Sequence, residues 1–281
     1  MARQPTRWGS AFRTMFGGAV LAVAILLGSA LWPDAGASAA TLAAMVTHPQ
    51  DDWAGSEILR YEGDSLPLGP AAISGVQLPG LDVSRYQTNV NWPAVGKAGA
   101  AFVYVKATES TNYTNPSFGQ QYRGAAAAGL IHGAYHFAIP NASNGIAQAD
   151  YFLAHGGRPS GATLPPAVDL EYNPYGDVCY GMPPAALVAW VHDFSNEMRR
   201  RMGSFPAIYT STSWWNRCTA NNGEFGRTNP LWVPRYGKSI GALPAGWGYE
   251  TFWQFADSGV FPGDQDYFNG TLAQLRALCG R

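Results

Sequence analysis

Hydrophobic and polar positions follow two alternating patterns between residues 79 and 281. Short runs rich in β-branched and aromatic residues recur, and the earlier ones are followed by segments with helical spacing of apolar positions. Eight runs are predicted to be strands: GLDVS (80–84), AFVYVKA (101–107), HGAYHFA (132–138), LPPAVDLE (164–171), FPAIYTS (205–211), NPLWVPRY (229–236), ETFWQFA (250–256) and DQDYFNG (264–270). Repeated strand–helix units over about 200 residues favour an α/β fold built on a parallel sheet.

Good helical patterns follow only the first four of these runs. The clearest is PPAALVAWVHDFSNEMRRRMG (183–203), whose Gly203 is typical of a helix C-cap. Between the later strands the helical pattern is short or missing. The sequence therefore predicts an irregular TIM-like barrel over residues 79–281. An open doubly wound sheet is the alternative, although no Gly-rich phosphate loop follows any strand.

The N-terminal 39 residues are predicted to be a secretory signal peptide. Three arginines precede the uncharged stretch GGAVLAVAILLGSALW (17–32), and an Ala-x-Ala pattern lies at residues 37–39. A membrane anchor is the alternative, because 16 apolar residues approach the length of a span. We expect a secreted protein with no membrane association after cleavage. Residues 40–78 show no strong period and are interpreted as a leader or linker that packs on the domain or is processed.

Composition and charge exclude several function classes. The chain has 281 residues, 13 % of them charged, against about 25 % in an average domain, and its formal net charge is -1. This composition predicts a neutral polar surface and does not favour nucleic-acid binding. We expect no cofactor, no metal and a monomer. The three cysteines show no zinc-ligand spacing. Cys179 and Cys218 lie in loop-like sequence and are predicted to form a disulfide, which leaves Cys279 unpaired.

Polar and aromatic side chains are concentrated where the predicted strands end. Asp169 and Glu171 are separated by one residue in PPAVDLEYN (165–173), so on a strand they would face one side with Cβ atoms about 6.5–7 Å apart. Two neighbouring acids beside aromatic walls are typical of glycoside hydrolysis, since one can protonate the leaving oxygen. A metal site or a structural ion pair is the alternative. Asp82 and Asp264 are further catalytic candidates at strand ends, and the strand-end residues predicted to bind the substrate are Lys106, Tyr135, Tyr209, Trp232, Trp253 and Gln254.

Six motifs in order make the chain resemble the glycoside hydrolase family 25 lysozymes, the Chalaropsis-type N-acetylmuramidases. They are LDVSRYQTNVNW, FVYVKATES, GAYHF, PAVDLEYN, IYTS and TFWQF…GDQDYFNG, and they cover roughly residues 79–280. The resemblance implies a barrel of five β/α units followed by three strands. It also implies hydrolysis of the β-1,4 bond between N-acetylmuramic acid and N-acetylglucosamine in peptidoglycan.

The resemblance also implies roles for four acids. Glu171 takes the place of the general acid, and Asp169 that of the residue that orients the N-acetyl group of the substrate, whose amide oxygen is the nucleophile. Asp82 matches the acidic cluster of the family. Asp264 matches its last acid best, with Asp266 as the second choice. Two alternatives stay open: a barrel that binds cell wall without cutting it, and a glycosidase for another N-acetylated polymer such as chitin.

Several other residues have a structural as well as a functional interpretation. His136 is expected to be a hydrogen-bonded histidine, and only one of Tyr135 and His136 can face the cavity. Lys106 and Glu109 are expected to pair with neighbouring charges. Trp214 and Trp215 are expected to be packing residues near the disulfide. The family often has Gly where this chain has Ser110, so a positive φ there would be strained.

Overall fold

The computed structural model describes residues 52–63, 75–158 and 163–279. The predicted signal peptide lies outside these residues, as do residues 40–51 and 64–74 of the predicted leader. The helices are Ile58–Glu62 (α1), Trp92–Lys97 (α2), Phe118–Ala127 (α3), Gly145–Ala154 (α4), Pro184–Met202 (α5), Thr212–Cys218 (α6) and Leu272–Leu278 (α7). The strands are Gln77–Val83 (β1), Phe102–Glu109 (β2), Tyr113–Thr114 (β3), Ile131–Phe137 (β4), Ala167–Asp169 (β5), Ala207–Tyr209 (β6), Leu231–Pro234 (β7), Phe252–Ala256 (β8) and Asp264–Asn269 (β9).

Eight of the strands close into a barrel, and each of the eight predicted runs overlaps one of them. The sheet order is β1-β9-β8-β7-β6-β5-β4-β2-β3, and an additional pairing of β1 with β2 closes the ring. Strand β9 runs antiparallel to both of its neighbours, whereas the other barrel strands pair in parallel. The short β3 adds to the edge of β2 as an antiparallel extension. The barrel prediction is confirmed, and the open-sheet alternative is wrong.

Helices follow the first five parallel strands of the ring, one strand more than the helical pattern predicted, because α6 is only seven residues long. None separates β7, β8 and β9 within the continuous stretch 163–279. Because β8 is joined to β9 by only seven residues, the chain reverses directly into the antiparallel strand. This arrangement of five β/α units and three strands matches the one implied by the family resemblance. The additional helix α7 after β9 was not predicted. Its capping box, formed by Thr271 and Gln274, stabilises its first turn.

The strands are buried on both faces, which explains their near-continuous hydrophobic runs. On β2, Phe102 and Tyr104 point into the barrel interior, while Val103 and Val105 pack against the surrounding helices. The longest helix, α5, begins with a proline in its first turn and ends at Gly203, which has a φ of 79° as predicted for a C-cap. No helix of the described residues is long and apolar enough to span a membrane.

The carboxyl ends of the parallel strands meet at one mouth of the barrel, where the candidate site residues lie. Strand β9 runs the opposite way, so its first residue, Asp264, lies at this same mouth opposite Asp82 of β1. The loop after β2 contains Ser110, at the position where the family often has Gly. This residue is buried and has a φ of 46°, so the backbone keeps the left-handed conformation although it has a side chain.

Candidate active site

Four carboxyl groups predicted from sequence lie together at the barrel mouth. Asp82 is on β1, Asp264 begins β9, Asp169 ends β5, and Glu171 follows two residues later. Each is at most 4 % exposed to solvent. Acids with so little solvent access cannot all be ionised at neutral pH, so their proton occupancy is set by their mutual distances and by hydrogen bonds.

Gln254 of β8 joins two of these acids. Its amide Nε2 lies 2.9 Å from Asp82 Oδ2, 3.2 Å from Asp264 Oδ2 and 2.7 Å from Ala54 O, so its two hydrogens are shared among three acceptors. Its Oε1 accepts from the hydroxyls of Tyr209 at 2.8 Å and Tyr236 at 3.1 Å. Because the two tyrosines donate to the amide oxygen, the amide nitrogen faces the acids. Gln254 therefore positions Asp82 and Asp264.

Asp169 and Glu171 form the second part of the acidic cluster. Burial raises the pKa of Asp169 well above its usual range; the charge of Glu171 adds to this, and Lys106 opposes it. Burial likewise raises the pKa of Glu171, against hydrogen bonds from Gly55 and Ser56. Neither oxygen of Asp169 has a hydrogen-bond partner among the described residues. The pair can therefore hold a proton at neutral pH, and the carboxyl group of Asp169 can accept hydrogen bonds from a ligand.

Asp266 is a fifth buried acid, on the same face of β9 as Asp264. Trp232 Nε1 donates to its Oδ1 at 2.9 Å. Burial and the charge of Asp82 raise the pKa of Asp266 well above its usual range. Burial also raises the pKa of Asp82 to about 7, although hydrogen bonds from Gln254 and Asp266 lower it. A protonated Asp266 can thus donate to Asp82.

Lys106 of β2 is fully buried beside this cluster. Its Nζ lies 2.6 Å from Glu109 Oε2 and 2.7 Å from Asp52 Oδ2, which confirms that it pairs with neighbouring charges. Burial lowers its pKa, and the nearby acids oppose that shift. Tyr175 donates from its hydroxyl to the other oxygen of Glu109 at 2.7 Å. These contacts hold the ammonium group at the edge of the mouth, near Asp169, whose pKa it lowers.

Most of the predicted aromatic residues line the barrel interior beneath the acids. Trp232 stacks on Tyr104 at 4.8 Å between ring centroids and meets Tyr209 and Tyr135 edge-on. Trp253 does not join this group. It precedes Gln254, so it points to the opposite face of β8, where it packs near Phe255 and Tyr267.

The histidine, cysteine and tryptophan residues that were expected to have structural roles are buried in the core or cross-linked. His136 faces the helices, and its ring contacts the Thr108 hydroxyl at 2.8 Å and Gln148 Oε1 at 3.0 Å. Cys179 and Cys218 form the predicted disulfide, with Cα atoms 5.3 Å apart, and Cys279 is free. Trp214 and Trp215 are fully buried in the hydrophobic core next to this disulfide.

Residues 52–63, which we call the N-terminal segment, also lie at the barrel mouth. Gly55 N donates to Glu171 Oε1 at 3.0 Å, and Gln254 Nε2 donates to Ala54 O at 2.7 Å. The sequence left open whether this segment packs on the domain and did not place it at the mouth, because it has no periodic pattern and its partners are distant in the sequence, 116 positions in the case of Gly55 and Glu171. Tyr175 was missed for the same reason. Among the described residues, no group of three or more His, Cys, Asp or Glu could hold a metal ion.

Comparison with known proteins gives consistent matches. The family model described as Glycosyl hydrolases family 25 matches residues 81–264. Lysozyme M1 of Streptomyces globisporus is 44% identical over 222 residues, 76% of this chain and 75% of that protein. An N,O-diacetylmuramidase of Chalaropsis is 45% identical over 205 residues, 71% of this chain and 97% of that protein. The structure of a family GH25 lysozyme from Aspergillus fumigatus superimposes with a TM-score of 0.72 at 45% identity, and the match covers 73% of this chain and 100% of that one.

Proposed function

Because the chain belongs to glycosyl hydrolase family 25, we propose that it hydrolyses the β-1,4 bond between N-acetylmuramic acid and N-acetylglucosamine, with Glu171 as the general acid. It is a peptidoglycan-hydrolysing enzyme of the lysozyme type. The observation that carries the assignment is the buried Asp169–Glu171 pair at the barrel mouth. Lys106 opposes the rise in the pKa of Asp169, which suits Asp169 to a role that needs a charged carboxylate and leaves Glu171 as the proton donor.

Glu171 has the properties that a general acid requires. A carboxyl group must be protonated before it can donate to the leaving glycosidic oxygen, and burial raises the pKa of Glu171 well above its usual range. It follows β5 at the mouth, where the substrate chain has to enter. As the bond breaks, the proton moves from Glu171 to the leaving oxygen. The carboxylate that remains then takes a proton from the attacking water.

Asp169 has the properties of the residue that orients the acetamido group. Its two oxygens have no hydrogen-bond partner among the described residues, so both are free to accept the amide N–H of the substrate. Accepting that N–H turns the amide oxygen toward the anomeric carbon and stabilises the positive charge of the oxazolinium-type intermediate. No protein carboxylate then needs to bond to the sugar. Lys106 lies close enough to stabilise the ionised form of Asp169.

Asp82 and Asp264 form the opposite side of the cluster and are held by Gln254. We assign them to the polar contacts of the sugar that is cleaved, with Tyr209 and Tyr135 supplying hydroxyl groups from the wall. Trp232, which lies beneath them and bonds to Asp266, fixes the floor of this pocket. Trp253 lies outside the barrel and receives no role in substrate binding.

Secretion is part of the same proposal. The disulfide between Cys179 and Cys218 belongs to oxidising compartments, and the N-terminal pattern, which lies outside the described residues, has the layout of a signal peptide. A secreted monomer with a formal net charge of only -1 can enter the peptidoglycan mesh without being strongly retained by charge.

The test is the identity of the new reducing end. Purified peptidoglycan is incubated with the chain, and fragments are analysed by mass spectrometry after borohydride reduction. Reduced N-acetylmuramic acid is expected. Reduced N-acetylglucosamine would contradict the bond assignment, and protein that pellets with the wall without cutting it, both intact and after a cut within residues 64–74, would favour a binding protein.

Two substitutions test the roles. Glu171→Gln removes the transferable proton and keeps the shape, so turnover should fall by at least about 100-fold. Asp169→Asn should lower turnover by less. Glu224→Gln is the matched control, because this glutamate is exposed and pairs with His192 away from the mouth. A Glu171→Gln variant with near wild-type turnover would refute the assignment of the acid.

A further inference from the structure

The N-terminal segment (residues 52–63) occupies the place that the substrate needs. Resting on the proposed function, we propose that this segment is autoinhibitory and that the enzyme becomes active when it is cut from the barrel or displaced. The segment precedes residues 81–264, which the family model matches, so it is an addition to the family domain.

The segment contacts the general acid directly. Gly55 N donates to Glu171 Oε1 at 3.0 Å, and the Ser56 hydroxyl lies 3.4 Å from the same oxygen. A glycosidic oxygen must come within hydrogen-bond distance of Glu171 to be protonated, and this volume is filled by the Gly55 peptide group. With the segment in place, Glu171 and Asp169 are fully buried and no polysaccharide can reach them.

The backbone of the segment also binds polar groups of the barrel mouth, among them the Tyr135 hydroxyl that we assign to the sugar. Ala54 N donates to the Tyr135 hydroxyl at 3.3 Å, and Ala54 O accepts from Gln254 Nε2 at 2.7 Å. The Tyr236 hydroxyl, which donates to Gln254 Oε1, also lies 3.3 Å from Gly55 O. Two consecutive peptide groups are therefore satisfied by the mouth of the barrel, as the buried backbone of an inhibitor must be.

Gly55 is the residue at which the segment is most closely fitted. Its φ is 97°, and an added Cβ atom would lie 2.6 Å from Gln254 Oε1, 3.0 Å from the Tyr209 hydroxyl and closer still to that of Tyr236. The backbone can approach these groups only because the side chain is absent. A substitution here should expel the segment without changing any residue of the barrel.

Both ends of the segment are anchored to the rim. At the first end, Asp52 Oδ2 lies 2.7 Å from Lys106 Nζ, and Trp53 packs edge-on against Tyr86. At the other end, Tyr61 stacks on Tyr172 with ring centroids 4.3 Å apart. The Tyr172 hydroxyl also donates to Glu62 Oε1 at 2.9 Å. These contacts hold the segment across the whole mouth rather than at one point.

Covalent attachment keeps the inhibitor at a high effective concentration. The segment is joined to β1 through residues 64–74, so it rebinds each time it leaves the mouth. After a cut in that stretch the same contacts become intermolecular, and dilution releases the segment. If about 99 closed molecules are present for each open one in the uncut chain, releasing the segment would raise the rate of hydrolysis by up to about 100-fold.

The experiment compares open and closed forms of the full chain. A recognition sequence for a specific protease is inserted within residues 64–74, and the release of reducing ends from peptidoglycan is measured before and after cleavage and dilution. Cleavage should raise the rate at least about tenfold. A synthetic peptide of residues 52–63 should lower the rate of the cut enzyme again, and the same peptide with Gly55→Val should not.

Two variants of the uncut chain complete the test. Gly55→Val should raise the rate without cleavage, whereas Leu59→Ala should not, because Leu59 is on the exposed side of α1. If cut and uncut chains both cleave peptidoglycan at the same rate, autoinhibition is refuted and the proposed function stands. If neither form produces reducing ends under any condition, the proposed function fails with it. Should Gly55→Val not fold, the protease and peptide measurements decide alone.

Discussion

Replacing Asp82 with asparagine should make the folded chain more stable at neutral pH while damaging the site. Burial raises the pKa of Asp82 from 3.8 to about 7, so the folded chain keeps a proton that the unfolded chain releases between these values. The stability contributed by the protonated group is complete below pH 3.8 and is lost as the pH rises through 7. The Asp82→Asn variant has no such loss, since the new side-chain amide is neutral throughout and can still accept from Gln254.

The size of the effect follows from the shift in pKa. Each unit corresponds to about 1.4 kcal/mol, so the difference of about three units predicts that the variant gains on the order of 4 kcal/mol over the wild type between pH 4 and pH 8. Neighbours add to this gain, because the charge of Asp82 also raises the pKa values of Asp264 and Asp266. Removing that charge lets both groups titrate closer to their usual range.

The assay is equilibrium unfolding in urea at pH 4, 5.5, 7 and 8, with Asp177→Asn as the control at an exposed carboxyl group. The free energy of unfolding of Asp82→Asn should exceed that of the wild type by a margin that grows with pH, and that of the control should follow the wild type. A margin independent of pH would show that Asp82 is ionised in the folded chain at pH 4, and a variant less stable at pH 8 would refute the reasoning altogether.

Two further stability changes follow from the structure. Ser110→Gly should raise the free energy of unfolding by about 1 kcal/mol, since glycine adopts the φ of 46° without the steric cost of a Cβ atom. Thermal unfolding measures this, and an unchanged or lower midpoint temperature of unfolding would contradict it. The double change Cys179→Ala, Cys218→Ala should lower the free energy of unfolding by roughly 4 kcal/mol, because the disulfide closes a loop with a sequence separation of 39. The matched control is Cys279→Ala, at the free thiol. Equal midpoints of urea unfolding for the two variants would show that the disulfide contributes nothing to stability.

Local pattern was sufficient for the strands and for the first outline of the site. Apolar runs such as those around Val103 and Ile208 are buried on both faces, so they are recognisable without knowing their partners. Polar residues that end such runs have few roles in packing, which is why Asp82, Asp169, Glu171 and Asp264 were visible as candidates. The weak or missing helical pattern between the last strands already indicated an irregular barrel.

Alternation along a strand was a weaker guide where neighbours both looked functional. Trp253 and Gln254 are adjacent on β8 and must point to opposite faces, and the sequence does not say which of them faces the barrel. The closed ring decides it, because only the inward position of residue 254 reaches both Asp82 and Asp264. The same reasoning places Tyr135 inside and His136 outside.

The sequence by itself determined where the strands lie along the chain and where the acids lie on them, because both depend on residues that are close in sequence. It also indicated the pairing of the two cysteines, because few residue types can form a cross-link. Only the tertiary structure decided which acids share a hydrogen-bond network, how far burial raises their pKa values, and that residues 52–63 cover them. Those properties depend on desolvation and on contacts between residues far apart in the chain, such as Gly55 and Glu171, which are separated by 116 positions. No local pattern records them, since they exist only once the barrel has closed.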